Sequence, residues 1–364
     1  MKKILVIEGR TTIGGGQIIT KEICDALKDE YLLHALVPGN NSVPTAILLK
    51  DICQSYFEYK EYSRGKKKLI DYYYFIKNLK IIRIIRKIIK SERPHLIYIQ
   101  HASMLPLVLL SLLGLKTKII VHIHVVYSDC RVRWFMNKML KSKKITKILG
   151  VSNYTLSQLE KPLLNKSYLL YNPVKLYDCL KNEKRTRNIA IVGDVTPLKG
   201  HEVLFKAISM LPLGYKIHVI GNVIDKQYKA HLLTDFPNVD VLFTGMVSDI
   251  PHYMKEHSID ITTIATTAVF ETFSLAMVES WSMGIPTIAT NDFGMKELVN
   301  RFLPQYSEFI LFEYRNSEDL KNKIINLEID EILYDKISRD CRQVVKKYFN
   351  EKCFPEKLKK IINS

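Results

Sequence analysis

Residues 271–290, ETFSLAMVESWSMGIPTIAT, read as loop, helix, stop and strand in twenty positions. Ser274 is a side-chain cap for a helix that starts at Leu275, Gly284 ends it, and Pro286 prevents its resumption before the apolar run TIAT. A helix N-terminus presents unpaired amides and positive dipole character, which suits an anion such as a diphosphate. Glu271 stands in the loop ahead of that end. Glu279 lies about one and a half turns inside a helix that otherwise reads apolar, where an acid is costly without a partner. From these residues alone, a ligand site and an ordinary capping loop with a solvent-facing Glu279 are equally good readings.

The same alternation continues outward. KKILVIE, RPHLIYIQ, TKIIVHIH and ITKILGVS alternate with helix-length segments such as Gln17–Lys28, Tyr74–Lys90 and Met104–Leu113, the pattern of βα units around a parallel sheet. It lapses in the polar stretch Tyr171–Arg187. It resumes with NIAIVGD, YKIHVIG, VDVLFTG, SIDITTIAT and GIPTIAT. The 364 residues exceed what one core supports, so the expectation is two doubly wound, Rossmann-like α/β domains: 1–175, then 186–340, with a cleft between them. The lysine-rich tail has helical spacing and no strand, and 341–364 is expected to be a helix crossing back to the first domain.

Composition is that of a folded protein, 47% hydrophobic and 25% charged. Six cysteines without a CxxC pair argue against a zinc site or disulfide framework and fit a cytoplasmic protein with reduced thiols. The apolar run after Met1 is too short for a signal peptide, and Ala102–Leu115 falls short of the roughly 20 residues that span a bilayer. A formal charge of +17 favours an anionic partner: nucleic acid, an acidic membrane or phosphorylated substrates. Gly14, Gly15 and Gly16 let the backbone approach a ligand, but Ile19 breaks the dinucleotide fingerprint G-x-G-x-x-G.

The E-x7-E spacing of Glu271 and Glu279, followed by the SMGIPTIA strand entry, resembles the donor site of the retaining GT-B glycosyltransferases of glycosyltransferase family 4. Further landmarks stand in family order: IGGGQIITKEICDAL, VHIH, VSNYTLSQL, YNPV, VGDVTPLKGHEVLFKAI and FTGMVSDIPHYM, covering about residues 1–310. The resemblance implies a GT-B fold with an N-terminal acceptor domain and a C-terminal donor domain. It implies hexosyl transfer from a UDP- or GDP-sugar, with Glu271 on the donor sugar and Glu279 on the ribose. Amides of Phe273, Ser274 and Leu275 would face sugar or phosphate, and Lys199 would neutralise the diphosphate. His124 would position or polarise the donor rather than abstract a proton, and Gly15 and Gly16 would border the diphosphate and acceptor. No D-x-D pair occurs, so neither a metal nor another cofactor is expected. The family's arginine after the strand glycine is replaced by Asp194; Arg187, His201 or Lys226 could supply the missing cation.

Two basic stretches, Ile76–Lys90 and Arg131–Lys147, suit either an anionic membrane or ordinary solvated faces. The first fits a helix laying its isoleucines on the sheet; the second mixes Trp134, Phe135, Met136 and Met139 with cations. They make a lipid-linked saccharide acceptor, in capsule, O-antigen or exopolysaccharide synthesis at the inner membrane face, the working expectation. No nucleic-acid motif is present. A nucleotide-sugar 2-epimerase of the same fold and a non-catalytic basic binding protein remain the alternatives.

Overall fold

The computed structural model describes residues 1–10, 14–39, 48–59, 69–178, 185–268 and 271–364, without the side chains of 69–78. Cys179 and the side chain of Lys77 therefore lie outside the described residues. The chain divides into two compact units: unit 1 is Met1–Tyr171 with Lys352–Ser364, and unit 2 is Asn172–Glu351.

Unit 1 is built on a seven-stranded sheet whose pairs are all parallel, in the order β3-β2-β1-β4-β5-β6-β7. Its strands are β1 (Lys2–Ile7), β2 (Tyr31–Pro38), β3 (Ser55–Tyr59), β4 (Leu96–Ile99), β5 (Lys118–Ile123), β6 (Ile145–Gly150) and β7 (Ser167–Leu169). Ile4 to Ile7 and Leu96 to Ile99 are buried throughout, as expected of strands covered on both faces. Each fully buried aliphatic side chain contributes about 1.5–3 kcal/mol. The helix Leu69–Glu92 lays Ile81, Ile85, Ile88 and Ile89 into this core, one stripe at helical spacing. Its isoleucine face is thus occupied by the sheet.

The last helix, Phe354–Asn363, packs on the helix Gly15–Leu27. Lys359 pairs with Glu30 at 2.8 Å, and Tyr31 donates to Asn363 Oδ1 at 2.8 Å. Lys147 Nζ donates to the Ile361 carbonyl, to that of Ile362 at 3.3 Å and to Ser364 Oγ at 2.7 Å. A cation on the terminal carbonyls offsets the helix dipole.

Unit 2 carries a six-stranded parallel sheet, order β10-β9-β8-β11-β12-β13. The strands are β8 (Asn188–Val192), β9 (Lys216–Ile220), β10 (Asp240–Gly245), β11 (Ile261–Ile264), β12 (Thr287–Thr290) and β13 (Leu311–Phe312). In both sheets the chain builds outward to one edge, then returns and builds to the other. The order therefore reverses between β1 and β4 and between β8 and β11. Ligands of open parallel sheets bind beyond the strand ends at such reversals.

At the second reversal two loops lie against each other. Gly200 has φ of 73° and sits so close to Ala265 that a Cβ there would come within 1.8 Å of the Ala265 carbonyl oxygen. Gly245, in the same unit, has φ of 71° with nothing within 4 Å of such a Cβ. The two positions share backbone strain and differ in contact. In urea unfolding, Gly245→Ala is expected to destabilise unit 2 by about 1 kcal/mol. Gly200→Ala is expected to exceed it by at least ~2 kcal/mol, since the backbone of one loop must move.

Candidate functional site

Lys199 follows β8 and Glu271 follows β11, so the reversal brings together residues 72 positions apart: Lys199 Nζ donates to Glu271 Oε2 at 2.6 Å. The approach is built by backbone bonds. The Leu198 carbonyl accepts from Thr267 N at 2.9 Å and from Thr266 Oγ1 at 3.1 Å, which pins the loop after β11 on the turn Pro197–Lys199. Beneath the lysine, Gly193 leaves room for its stem, because a Cβ there would meet Lys199 Cε at 3.2 Å. Glu271 is held by its main chain: its N–H bonds the Ala268 carbonyl, and its carbonyl accepts from Gly294 N at 3.2 Å. Only glycine fits at 294, where a Cβ would come 2.0 Å from the Thr272 carbonyl oxygen.

The helix Leu275–Ser282 begins one turn beyond Glu271. Ser274 Oγ accepts from Met277 N at 3.3 Å, and Gly284, φ 79°, ends the helix. The amides of Leu275 and Ala276 belong to the first turn, which has no intrahelical acceptors. At the other end, Arg342 donates to the Ser282 carbonyl at 2.7 Å and fixes the helix axis. Phe273 is buried, its ring 5.8 Å from that of Phe349. The Glu279 carboxylate is half-buried and has neither hydrogen bond nor ion pair among the described residues; burial pushes its pKa up. Such an acid is suited to accepting hydroxyl hydrogen bonds from a ligand.

Asp194 is exposed at the end of β8. Of the three cations weighed against it, Arg187 precedes β8, at the opposite end of the strand, and bonds Glu328 at 2.6 Å. His201 is buried, and burial lowers its pKa to about 4, so it is neutral near pH 7. Lys226 is exposed and starts the helix Lys226–Asp235, whose preceding residue Asp225 donates its N–H to the Val195 carbonyl at 3.2 Å. Of the three, Lys226 is the charged group at the correct end of the sheet.

In unit 1 the reversal between β1 and β4 gathers a second polar set. His124 stands one residue past β5, its ring centroid 4.1 Å from that of His122. Gln100 Nε2 lies 2.8 Å from His124 Nε2. An amide NH2 only donates, so with the amide in this orientation Nε2 accepts and the neutral ring carries its proton on Nδ1. Burial first, then His101, pushes the His124 pKa down to about 3. His101 is lowered to about 4, by burial first and by Arg10, whose Nε donates to His101 Nε2 at 3.3 Å. His122 faces Tyr98 Oη at 3.0 Å and is also lowered by burial.

Gly15 and Gly16 open the helix Gly15–Leu27, and Gly14 N donates to Gln17 Oε1 at 3.0 Å. Sequence reading missed the group that holds this turn. Glu8 is fully buried, and its carboxylate accepts from Gly9 N at 2.7 Å, Thr20 Oγ1 at 2.6 Å and Gln17 Nε2 at 3.3 Å. The available signal was an acid closing an apolar strand directly before a glycine.

Comparison with known proteins gives these two units a context. Residues 13–177 match the family model described as Glycosyltransferase Family 4, and residues 180–344 match that described as Glycosyl transferases group 1. An uncharacterized glycosyltransferase of Methanocaldococcus jannaschii is 28% identical over 207 residues, 57% of this chain and 56% of the relative. The match thus spans little more than half the length of that curated relative. Among solved structures, Anabaena HepE in complex with UDP and glucose covers 100% of both chains at TM-score 0.81 and 16% identity. Its complex with UDP-glucose gives 0.78 at 16% identity, again over 100% of both chains. A glycosyltransferase from Rickettsia africae gives 0.77 at 19%, over 100% of this chain and 99% of that one. These likenesses establish the fold as GT-B.

The imidazoles give a signed pH dependence. The unfolded chain takes up protons at histidine below about pH 6.5. The folded chain resists at His101 until about 4 and at His124 until about 3. Their contribution to stability is therefore present above pH 6.5 and is lost as pH falls towards 4. Thermal midpoints should drop between pH 7 and 5, and His124→Gln should flatten that decline.

Proposed function

The chain belongs to the GT-B glycosyltransferases, its two halves matching two of their family models, and from that premise we propose hexosyl transfer from a nucleotide sugar to a saccharide acceptor. The observation that carries the reading is the Lys199–Glu271 pair at the β8/β11 reversal, a cation and an acid held beside a helix N-terminus. Unit 2 takes the donor. Lys199 and the amides of Phe273, Ser274 and Leu275 meet the diphosphate and sugar, Glu271 accepts from sugar hydroxyls, and Glu279 accepts from the ribose diol. Lys226 is the additional cation. The HepE complexes hold UDP with glucose and UDP-glucose, which makes UDP-sugars the first donors to test.

Leaving-group charge is met by Lys199, Lys226 and the helix dipole, and no metal is called upon. As the bond from the anomeric carbon to the diphosphate oxygen breaks, that oxygen accepts the proton of the attacking hydroxyl, which bonds to the same face of the sugar. Anomeric configuration is retained. Glu271 orients the sugar without attacking it. His124, kept neutral by burial, positions the donor and cannot serve as a base of ordinary strength. Unit 1 takes the acceptor, a lipid-linked saccharide of a bacterial surface polysaccharide, a reading supported by the basic charge of the chain.

A thermal-shift screen of UDP- and GDP-sugars identifies the donor. With that donor and a saccharide acceptor, Glu271→Gln should lower sugar transfer at least ~100-fold while leaving the thermal midpoint nearly unchanged. Near-normal transfer by this variant would overturn the assignment.

A further inference from the structure

Two cysteines far apart in the sequence meet in unit 1. Cys24 lies on the inward face of the helix Gly15–Leu27, one turn beyond Thr20 and one turn before Leu27, and is fully buried. Cys53 stands in the segment ahead of β3 and is 8% exposed. Each is held in place by its surroundings. Cys53 N donates to the Leu49 carbonyl at 3.0 Å, and Gln54 N donates to that of Leu33, in β2, at 2.9 Å. On the helix, the Thr20 hydroxyl donates to buried Glu8 at 2.6 Å. The Cys24 and Cys53 side chains hydrogen bond to each other.

That bond is polarised. Bonding to Cys53 pushes the Cys24 pKa up and burial adds to the rise, so Cys24 keeps its proton and donates it. Accepting the bond lowers the Cys53 pKa, against the opposing effect of burial. Negative charge therefore forms more readily on the sulfur that retains some exposure. A thiolate-prone cysteine at the margin with a protonated thiol behind it is the arrangement of an oxidisable pair, whereas a single cysteine in an apolar interior is inert. Cys341 is of the inert kind, fully buried, with its pKa pushed up by burial. Cys130 and Cys353 are exposed.

We propose that Cys24 and Cys53 form a peroxide-responsive dithiol, which closes to a disulfide and ties the helix Gly15–Leu27 to the segment before β3. The Cys53 sulfur attacks one oxygen of hydrogen peroxide. The O–O bond breaks, Cys53 becomes a sulfenic acid, and the other oxygen leaves as water. The Cys24 sulfur then attacks the Cys53 sulfur, the S–O bond breaks, and the departing hydroxide takes the Cys24 proton to leave as a second water. The two thiols are oxidised by two electrons in all, and the peroxide is reduced by the same two. A small dithiol reverses the reaction by exchange. The cross-link joins the helix that opens with the glycine turn to a separate segment, so it restricts the unfolded chain and stabilises unit 1. The inference goes beyond the transferase reading, and its test requires no turnover.

The test uses the full chain carrying Cys130→Ser and Cys353→Ser, which removes the exposed thiols. Folded protein treated with hydrogen peroxide should lose the mass of two hydrogen atoms. Trypsin digestion, after free thiols are blocked, should then yield EICDALK joined to DICQSYFEYK until dithiothreitol separates them. The thermal midpoint should rise by about 5 °C on oxidation and return on reduction. Cys24→Ala should halt the chemistry at a Cys53 sulfenic acid that dimedone traps, whereas Cys53→Ala should leave Cys24 unreactive. The joined peptides come from the chain with both cysteines in place, so that result does not depend on how well either variant folds. Peptides recovered unjoined after oxidation, Cys24 or Cys53 joined instead to Cys179 or Cys341, or joining that occurs only above the thermal midpoint would each overturn the proposal.

Discussion

The donor side of this protein rests on how closely two loops approach. The Leu198 carbonyl takes hydrogen bonds from Thr266 and Thr267, and Gly200 brings its backbone against Ala265. Everything downstream follows from that clamp. Lys199 reaches Glu271, and Gly294 lets the next helix bind the Glu271 carbonyl. Arg342 steadies the far end of the helix that begins at Leu275. Backbone groups do most of the holding. The side chains that would face a ligand are left to do so, and Glu279 is the clearest case, an acid with only its own burial acting on it.

The two strand reversals are chemically unlike. In unit 2 the reversal sets a formal cation against a formal anion in partial contact with solvent. In unit 1 it gathers His101, His122 and His124, all held neutral by burial, beside Gln100 and Tyr98. Neutral imidazoles are fixed donors and acceptors that do not change with modest shifts of pH. The charged half can stabilise developing charge, while the neutral half sets geometry. The buried Glu8 belongs to this second style, with three donors around one carboxylate holding a glycine turn.

The alternation of apolar runs made nine of the strands readable, because buried parallel strands are continuous apolar words. β2 (YLLHALVP), β3 (SYFEY), β7 and β13 were not read, the last two because runs of three and two residues are too short to carry a pattern. The cap at Ser274 and the stop at Gly284 were local and legible. What local sequence could not supply was pairing. That Lys199 meets Glu271, that Arg187 turns to Glu328 at the wrong end of its strand, and that Lys147 serves the C-terminal helix depend on topology. Glu8 escaped for the same reason: its partners Gln17 and Thr20 come to it when the first helix folds back on the sheet.

Unit 1 is discontinuous in the chain, and its last helix is fastened by Lys147, Glu30 and Tyr31. During synthesis residues 352–364 appear only after all of unit 2 has been made. The first unit must therefore wait, with the face of Gly15–Leu27 uncovered and Lys147 without its carbonyls, while the second can already close its own sheet. The half that begins first is completed last, which gives the emerging chain an interval in which that bare face is open to chaperones or to mispairing.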